Sequence, residues 1–77
     1  MKTTIDKVWI DNEAVYIQTK KGKIYNERLA EYPRLRNASS LQLSKFEYDN
    51  IGIRWDELDE DLSYKGFIKK EKLLKNS

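Results

Sequence analysis

Residues 5–26 read IDKVWIDNEAVYIQTKKGKIYN, and their apolar side chains recur at alternate positions around two turn signals. A period of two is the signature of a strand with one buried face. In IDKVWID, Val8 and Ile10 share one face and Trp9 takes the other. In AVYIQTK, Val15, Ile17 and Thr19 alternate with Tyr16 and Gln18. Between them DNE (11–13) is turn chemistry, and KKG (20–22) ends on a glycine free to take positive φ. KIYN continues as a short third strand. Short connections between consecutive strands predict an antiparallel meander.

After residue 28 the strict alternation stops. Pro33 cannot sit inside a central strand but suits the first turn of a helix, so a short helical turn is expected over Pro33 to Arg36. Leu35 in that turn is expected to insert into the core. Ser39 or Ser40 can cap a second short helix carrying Leu41, Leu43 and Phe46. FEYD and IGIRW read as two further strands joined at DNIG, where Asn50 and Gly52 favour a turn or bulge. Trp55 closes the second of these as an expected core anchor. DLSYKGFIKKEKLL reads as a last helix with Ser63 as its N-cap and Tyr64, Phe67 and Ile68 on one face. Gly66 weakens that helix by about 1 kcal/mol relative to alanine.

The expected fold is therefore α+β: a small two-layer domain with one antiparallel sheet of about five short strands. One to three short helices, including a C-terminal one, lie on it. The domain is expected over residues 1–68, with 69–77 as a basic tail or frayed helix end.

Composition narrows the chemistry. The chain has 77 residues, enough for one small domain. It has no Cys and no His, which removes thiol chemistry, the commonest general base and the commonest metal ligand. Net charge is +2 while 36% of residues are charged, so the surface is dense in both signs. The longest apolar run is residues 14–17, too short for a membrane span. The N-terminus has no apolar core of a secretory signal. A cytoplasmic protein is expected, with no membrane association.

Five carboxylates, Asp56, Glu57, Asp59, Glu60 and Asp61, follow Trp55 directly. A calcium loop begun at Asp59 fails, because Tyr64 falls where glycine is required and Lys70 where a bidentate Glu is required. No phosphate-binding loop accompanies the cluster to support a magnesium site. The favoured reading is structural: Asp59, Glu60 and Asp61 lead into the last helix, where carboxylates favour the positive end of its dipole. Asp61 or Ser63 would cap its first turn. A docking surface built on Glu57 and Glu60 stays open as the second reading.

The basic residues Lys20, Lys21, Lys23, Arg28, Arg34 and Arg36 precede the acidic stretch, and Lys65, Lys69, Lys70, Lys72 and Lys75 follow it. Nucleic-acid binding would need them gathered on one face with rings for stacking, which Tyr16, Tyr25 and Tyr32 can supply. The near-neutral total charge argues against it. Arg34 and Arg36 flank Leu35, and a guanidinium there can pair with the acidic stretch as a structural clasp or hold a ligand.

From EYPRLRNAS to GFI the order of motifs resembles the bacterial family known as domain of unknown function 2442. The resemblance rests on Pro33-Arg34-Leu35, Asn37-Ala38-Ser39, Gly52-Ile53-Arg54-Trp55, Leu58-Asp59-Glu60-Asp61-Leu62-Ser63 and Phe67-Ile68, and covers residues 5–68. Departures are Arg28 and Glu31 at positions where Pro and an aromatic are frequent, Arg54 in place of a His, and Asp56 in place of a Pro. Any role of that His is absent from this chain. The resemblance implies a small α+β fold without an established activity. It also implies stand-alone proteins or modules joined to helix-turn-helix domains, often encoded beside another small protein in a toxin–antitoxin-like arrangement.

These readings converge on a small non-catalytic interaction or regulatory module, antitoxin-like, that binds a protein partner and needs no cofactor. Candidate contact residues are Trp9, Arg34, Arg36, Arg54, Glu57 and Glu60. Pro33, Leu35, Trp55, Asp59, Asp61 and Ser63 are expected to be structural. A nucleic-acid-associated regulator is the alternative, and a carboxylate-based metal or enzyme site is third. An open sheet face also allows a homodimer.

Overall fold

A computed structural model of the chain describes residues 5–69. β1 (Ile5–Ile10), β2 (Ala14–Thr19) and β3 (Ile24–Arg28) pair antiparallel in the order β1-β2-β3, the expected meander. Alternation sorts the two faces as the sequence pattern requires. Val8, Ile17 and Tyr25 form one inner row, and Trp9, Tyr16 and Asn26 form an outer one. Asp11 organises the first turn: its Oδ1 accepts the N–H groups of Glu13 and Ala14 at 2.8 and 2.9 Å. Gly22 closes the second turn at φ +93°, a conformation that a side chain disfavours.

Three short helical pieces come next. A 3₁₀ turn spans Leu29–Glu31, α1 spans Pro33–Arg36 with proline in its first turn, and α2 spans Ser40–Ser44. Ser39 is the α2 cap. Its hydroxyl accepts from the Gln42 N–H while the Gln42 side chain accepts from the Ser39 N–H, a reciprocal capping box. α2 ends before Phe46, so that residue is not on the helix as expected, and Leu41 points outward at 67% exposure.

A second antiparallel sheet follows, with β4 (Glu47–Tyr48), β5 (Gly52–Trp55) and β6 (Glu60–Ser63) in the order β4-β5-β6. A helical segment over residues 64–69, α3, completes the described chain. Ser63 caps it, its Oγ accepting the Gly66 N–H at 3.1 Å. The expected basic tail lies, from residue 70 onward, outside the described residues.

Two expectations are corrected. The strands form two sheets of three, not one sheet of about five. The acidic stretch also does not lead into a helix. Asp56 to Asp59 form a tight turn, with the Leu58 N–H donating to the Trp55 carbonyl at 3.2 Å. Asp59 takes φ +52°, the left-handed conformation that Asp tolerates better than most residues. Glu60 and Asp61 then lie in β6, too far before α3 to serve its dipole, and Asp61 is not its cap. Leu62 decides the matter, because pairing opposite Ile53 buries it to 4% exposure.

Both sheets share one core. Val15 and Ile17 from the first, Ile53 and Trp55 from the second, Leu35 from α1 and Phe67 from α3 are its fully buried members. Each such side chain contributes about 1.5–3 kcal/mol by leaving water. Leu35, Trp55 and Phe67 thus occupy the core positions expected of them. Ile68 is half-buried. No helix among the described residues is long and apolar enough to cross a membrane.

Candidate functional site

The outer face of the first sheet carries two of the exposed large apolar side chains among the described residues, Trp9 and Ile24. The register sets Trp9 directly opposite Tyr16, and the rings stack with centroids 5.4 Å apart and planes 9° apart. The Tyr16 hydroxyl donates to Asp11 Oδ2 at 2.8 Å, which fixes the ring. That bond and the Glu13 and Ala14 N–H groups hold the Asp11 carboxyl below its usual range, the backbone donors first. Accepting from Tyr16 in turn raises the phenol's pKa. Trp9 remains 37% exposed, and Ile24, on the same face of β3, is 50% exposed. Ile24 was not singled out in the sequence, although its alternation with Tyr25 places it outward. Of the rings considered for stacking, only Tyr16 shares this face. Tyr25 is on the inner row, and the Tyr32 hydroxyl donates to Glu27 Oε2 beneath the sheet.

The candidates in the second half of the chain separate into tied and loosely held groups. Arg34 reaches from α1 to the β5–β6 turn, donating to the Asp59 backbone carbonyl at 2.5 Å and pairing with its Oδ2 at 3.5 Å. This is the clasp expected between the two motifs. Glu57 makes a second tie to α2, accepting from Gln42 Nε2 at 3.2 Å and pairing with Lys45 Nζ at 3.7 Å. Arg54 lies on the outer face of β5 between Glu47 and Asp61, and its Nε holds Asp56 Oδ1 at 2.8 Å. Glu60 is half-buried, its Oε1 accepting the Asp61 N–H at 3.1 Å. Glu57 and Glu60, the residues of the docking surface left open by the sequence, both make contacts within the chain, and Glu57 stays about half exposed. No group of three or more Asp, Glu, His or Cys able to hold a metal ion occurs among the described residues.

Arg36 behaves differently. Its guanidinium makes no ion pair among the described residues, and it lines a groove of about 450 Å³ between the β1–β2 turn, α1 and α2. Arg28, at the end of β3, lines the same groove and is likewise without an ion pair. In the sequence Arg28 stands out only as one of the basic residues and as a departure from the family pattern. That it lines one groove with Arg36 depends on the turn between β3 and α1, which local spacing does not encode.

Comparison with known proteins adds the family. Neither a curated protein nor a solved structure matches the chain. The family model described as "Protein of unknown function (DUF2442)" matches residues 5–72. It spans both sheets and the motifs around Pro33, Gly52 and Asp59, and the chain belongs to the DUF2442 family.

Proposed function

We propose that this chain is a small non-catalytic interaction module of the cytoplasm that binds and regulates a protein partner in an antitoxin-like manner. One observation carries the reading: Trp9, stacked on Tyr16, is held partly exposed on a regular sheet face that also carries the exposed Ile24. A rigid aromatic anchor loses little side-chain freedom on binding, and Trp and Tyr dominate the energetics of protein interfaces. The absence of His and Cys from the sequence supports a binding role over a catalytic one.

A nucleic-acid role has narrower support. Lys7 and Arg28 share the outer face with Trp9, but Tyr16 already covers one side of that indole. A stack of successive bases needs several free ring faces.

The test is a pull-down from native cells at gentle salt with the intact chain as bait. A stoichiometric protein partner that Ile24→Lys releases is expected. Recovery of nucleic acid alone, released by raising salt, would replace this reading with the second one.

A further inference from the structure

Charge is unevenly placed along the outer face of the first sheet. Lys7, Gln18 and Ile24 form the outer row next to the β2–β3 turn, and Trp9, Tyr16 and Asn26 form the row beside it. The turn itself carries Lys20 and Lys21, both exposed, and is closed by the Gly22 N–H donating to the Thr19 carbonyl at 2.9 Å. Arg34, Lys45 and Arg54 make the ion pairs among the described residues, and Lys7, Lys20 and Lys21 stand outside them.

The carboxylates of this sheet and its turns lie mostly elsewhere. Glu27 is on the inner side, bound by the Tyr32 hydroxyl. Asp11 and Glu13 sit in the β1–β2 turn, at the opposite end of the face, where they balance Arg28 along one groove. Asp6, which the register passes over between Ile5 and Lys7, is the one carboxylate at the lysine end. Three lysines outside any ion pair thus stand against one carboxylate, next to the exposed Ile24 and one row from the exposed Trp9.

An apolar centre with lysines along one side complements a protein surface that is apolar at its centre and carries carboxylates along one side. Opposite potentials steer the encounter and fix its register, while the lysine stems extend the apolar contact. Phosphate would also satisfy the lysines, but Tyr16 already covers one side of Trp9 and Ile24 offers no ring for a base.

We infer that the partner surface received by the Trp9 face is acidic where it meets Lys7, Lys20 and Lys21 and apolar where it meets Trp9 and Ile24. This assignment rests on the protein-binding reading above and specifies the chemistry of that same face.

The probe is a short synthetic peptide of alternating phenylalanine and glutamate, titrated into the full isotope-labelled chain and followed by amide and indole N–H chemical shifts. A phenylalanine–lysine peptide of equal length and oligothymidine are the comparisons. The glutamate peptide should give saturable shifts at Lys7, Gln18, Ile24 and the Trp9 indole, and the lysine peptide none. Lys7→Glu should weaken the glutamate peptide about tenfold, and adding Lys20→Glu and Lys21→Glu should transfer binding to the lysine peptide. All three lysines are exposed, so these variants keep the fold, and unchanged shifts elsewhere verify that. Equal binding of the two peptides, or binding of neither, would overturn the inference. So would tighter binding of oligothymidine, or peptide-free shifts of the same residues with protein concentration, the sign of a second copy. The two readings fail separately. A native partner lost from Trp9→Ala but held unchanged by the triple lysine variant overturns the charge assignment alone. The absence of any stoichiometric partner on the intact chain overturns the protein-binding reading, whatever the peptides do.

Discussion

The indole Nε1 of Trp55 donates a 3.0 Å hydrogen bond to the backbone carbonyl of Leu43. That carbonyl is near the C-terminal end of α2, where helical carbonyls lack intrahelical partners. A β5 side chain thus finishes a helix while filling the core, with Phe46 edge-on to its ring at 6.3 Å. Trp55→Phe removes the donor but keeps most of the ring. It should cost about 1–3 kcal/mol, because a part-buried carbonyl is left without its partner. Trp55→Ala should cost about 3–5 kcal/mol. Urea unfolding of both variants measures the two terms separately.

Gly52 and Gly66 make opposite predictions. A Cβ at position 52 would lie 2.2 Å from the Leu62 carbonyl oxygen and 2.9 Å from the Ser63 Cα, both backbone atoms of β6. Gly52→Ala must therefore push β6 off β5, at about 3 kcal/mol or more. At position 66 the nearest neighbour is Ser63 Oγ at 3.4 Å, ordinary contact. Gly66→Ala should stabilise by about 0.5–1 kcal/mol through helix propensity and a stiffer unfolded chain. Thermal melts of the pair check both signs.

Stability should fall at both ends of the pH scale for named reasons. Tyr64 donates to the Asp49 carbonyl at 2.7 Å, and burial, then the Asp49 charge, pushes its phenol up to about 12. A raised pKa contributes stability that is intact below the unfolded value of 10.0 and lost as pH climbs toward about 12. Tyr64→Phe should flatten that alkaline limb. Asp11 and Asp49 are depressed, chiefly by backbone N–H donors, so their contribution is present above the model-peptide value of 3.8 and lost as pH falls through their folded values. Carboxyl resonances of both residues should titrate below 3.8.

The Arg34–Asp59 clasp should matter more for position than for energy. Both side chains are largely exposed, and exposed pairs contribute about 0–1 kcal/mol. Asp59→Gly removes the charge but also relieves the left-handed strain at φ +52°, so its net effect on stability should be near zero. A double-mutant cycle with Arg34→Gln isolates the ionic part. A coupling well above about 1 kcal/mol would show that the clasp is stronger than its exposure allows.

The meander, the turn of helix at Pro33, the core positions of Leu35 and Trp55 and the Ser63 cap were legible because each follows from local rules. β6 was not. Asp and Glu are poor strand formers, and one buried residue, Leu62, is too little for a period to register. Only its cross-strand partner Ile53 makes it a strand. The division into two sheets was hidden for the same reason, since pairing partners are not written in spacing. At the surface, the Arg34 clasp was legible as a charge relationship. The ties of Glu57 to Gln42 and Lys45 and the sharing of one groove by Arg28 and Arg36 needed the helices to be placed first.

The central claim is that the Trp9 face binds a protein. Its most direct test is a native pull-down comparing the intact chain with Trp9→Ala. Losing the stack on Tyr16 should cost only about 0.5–1.5 kcal/mol of stability, so the variant stays folded and a melt verifies it. A stoichiometric partner on the intact chain, lost from folded Trp9→Ala, is expected. Equal recovery of that partner by both chains, or no stoichiometric partner on either, would contradict it.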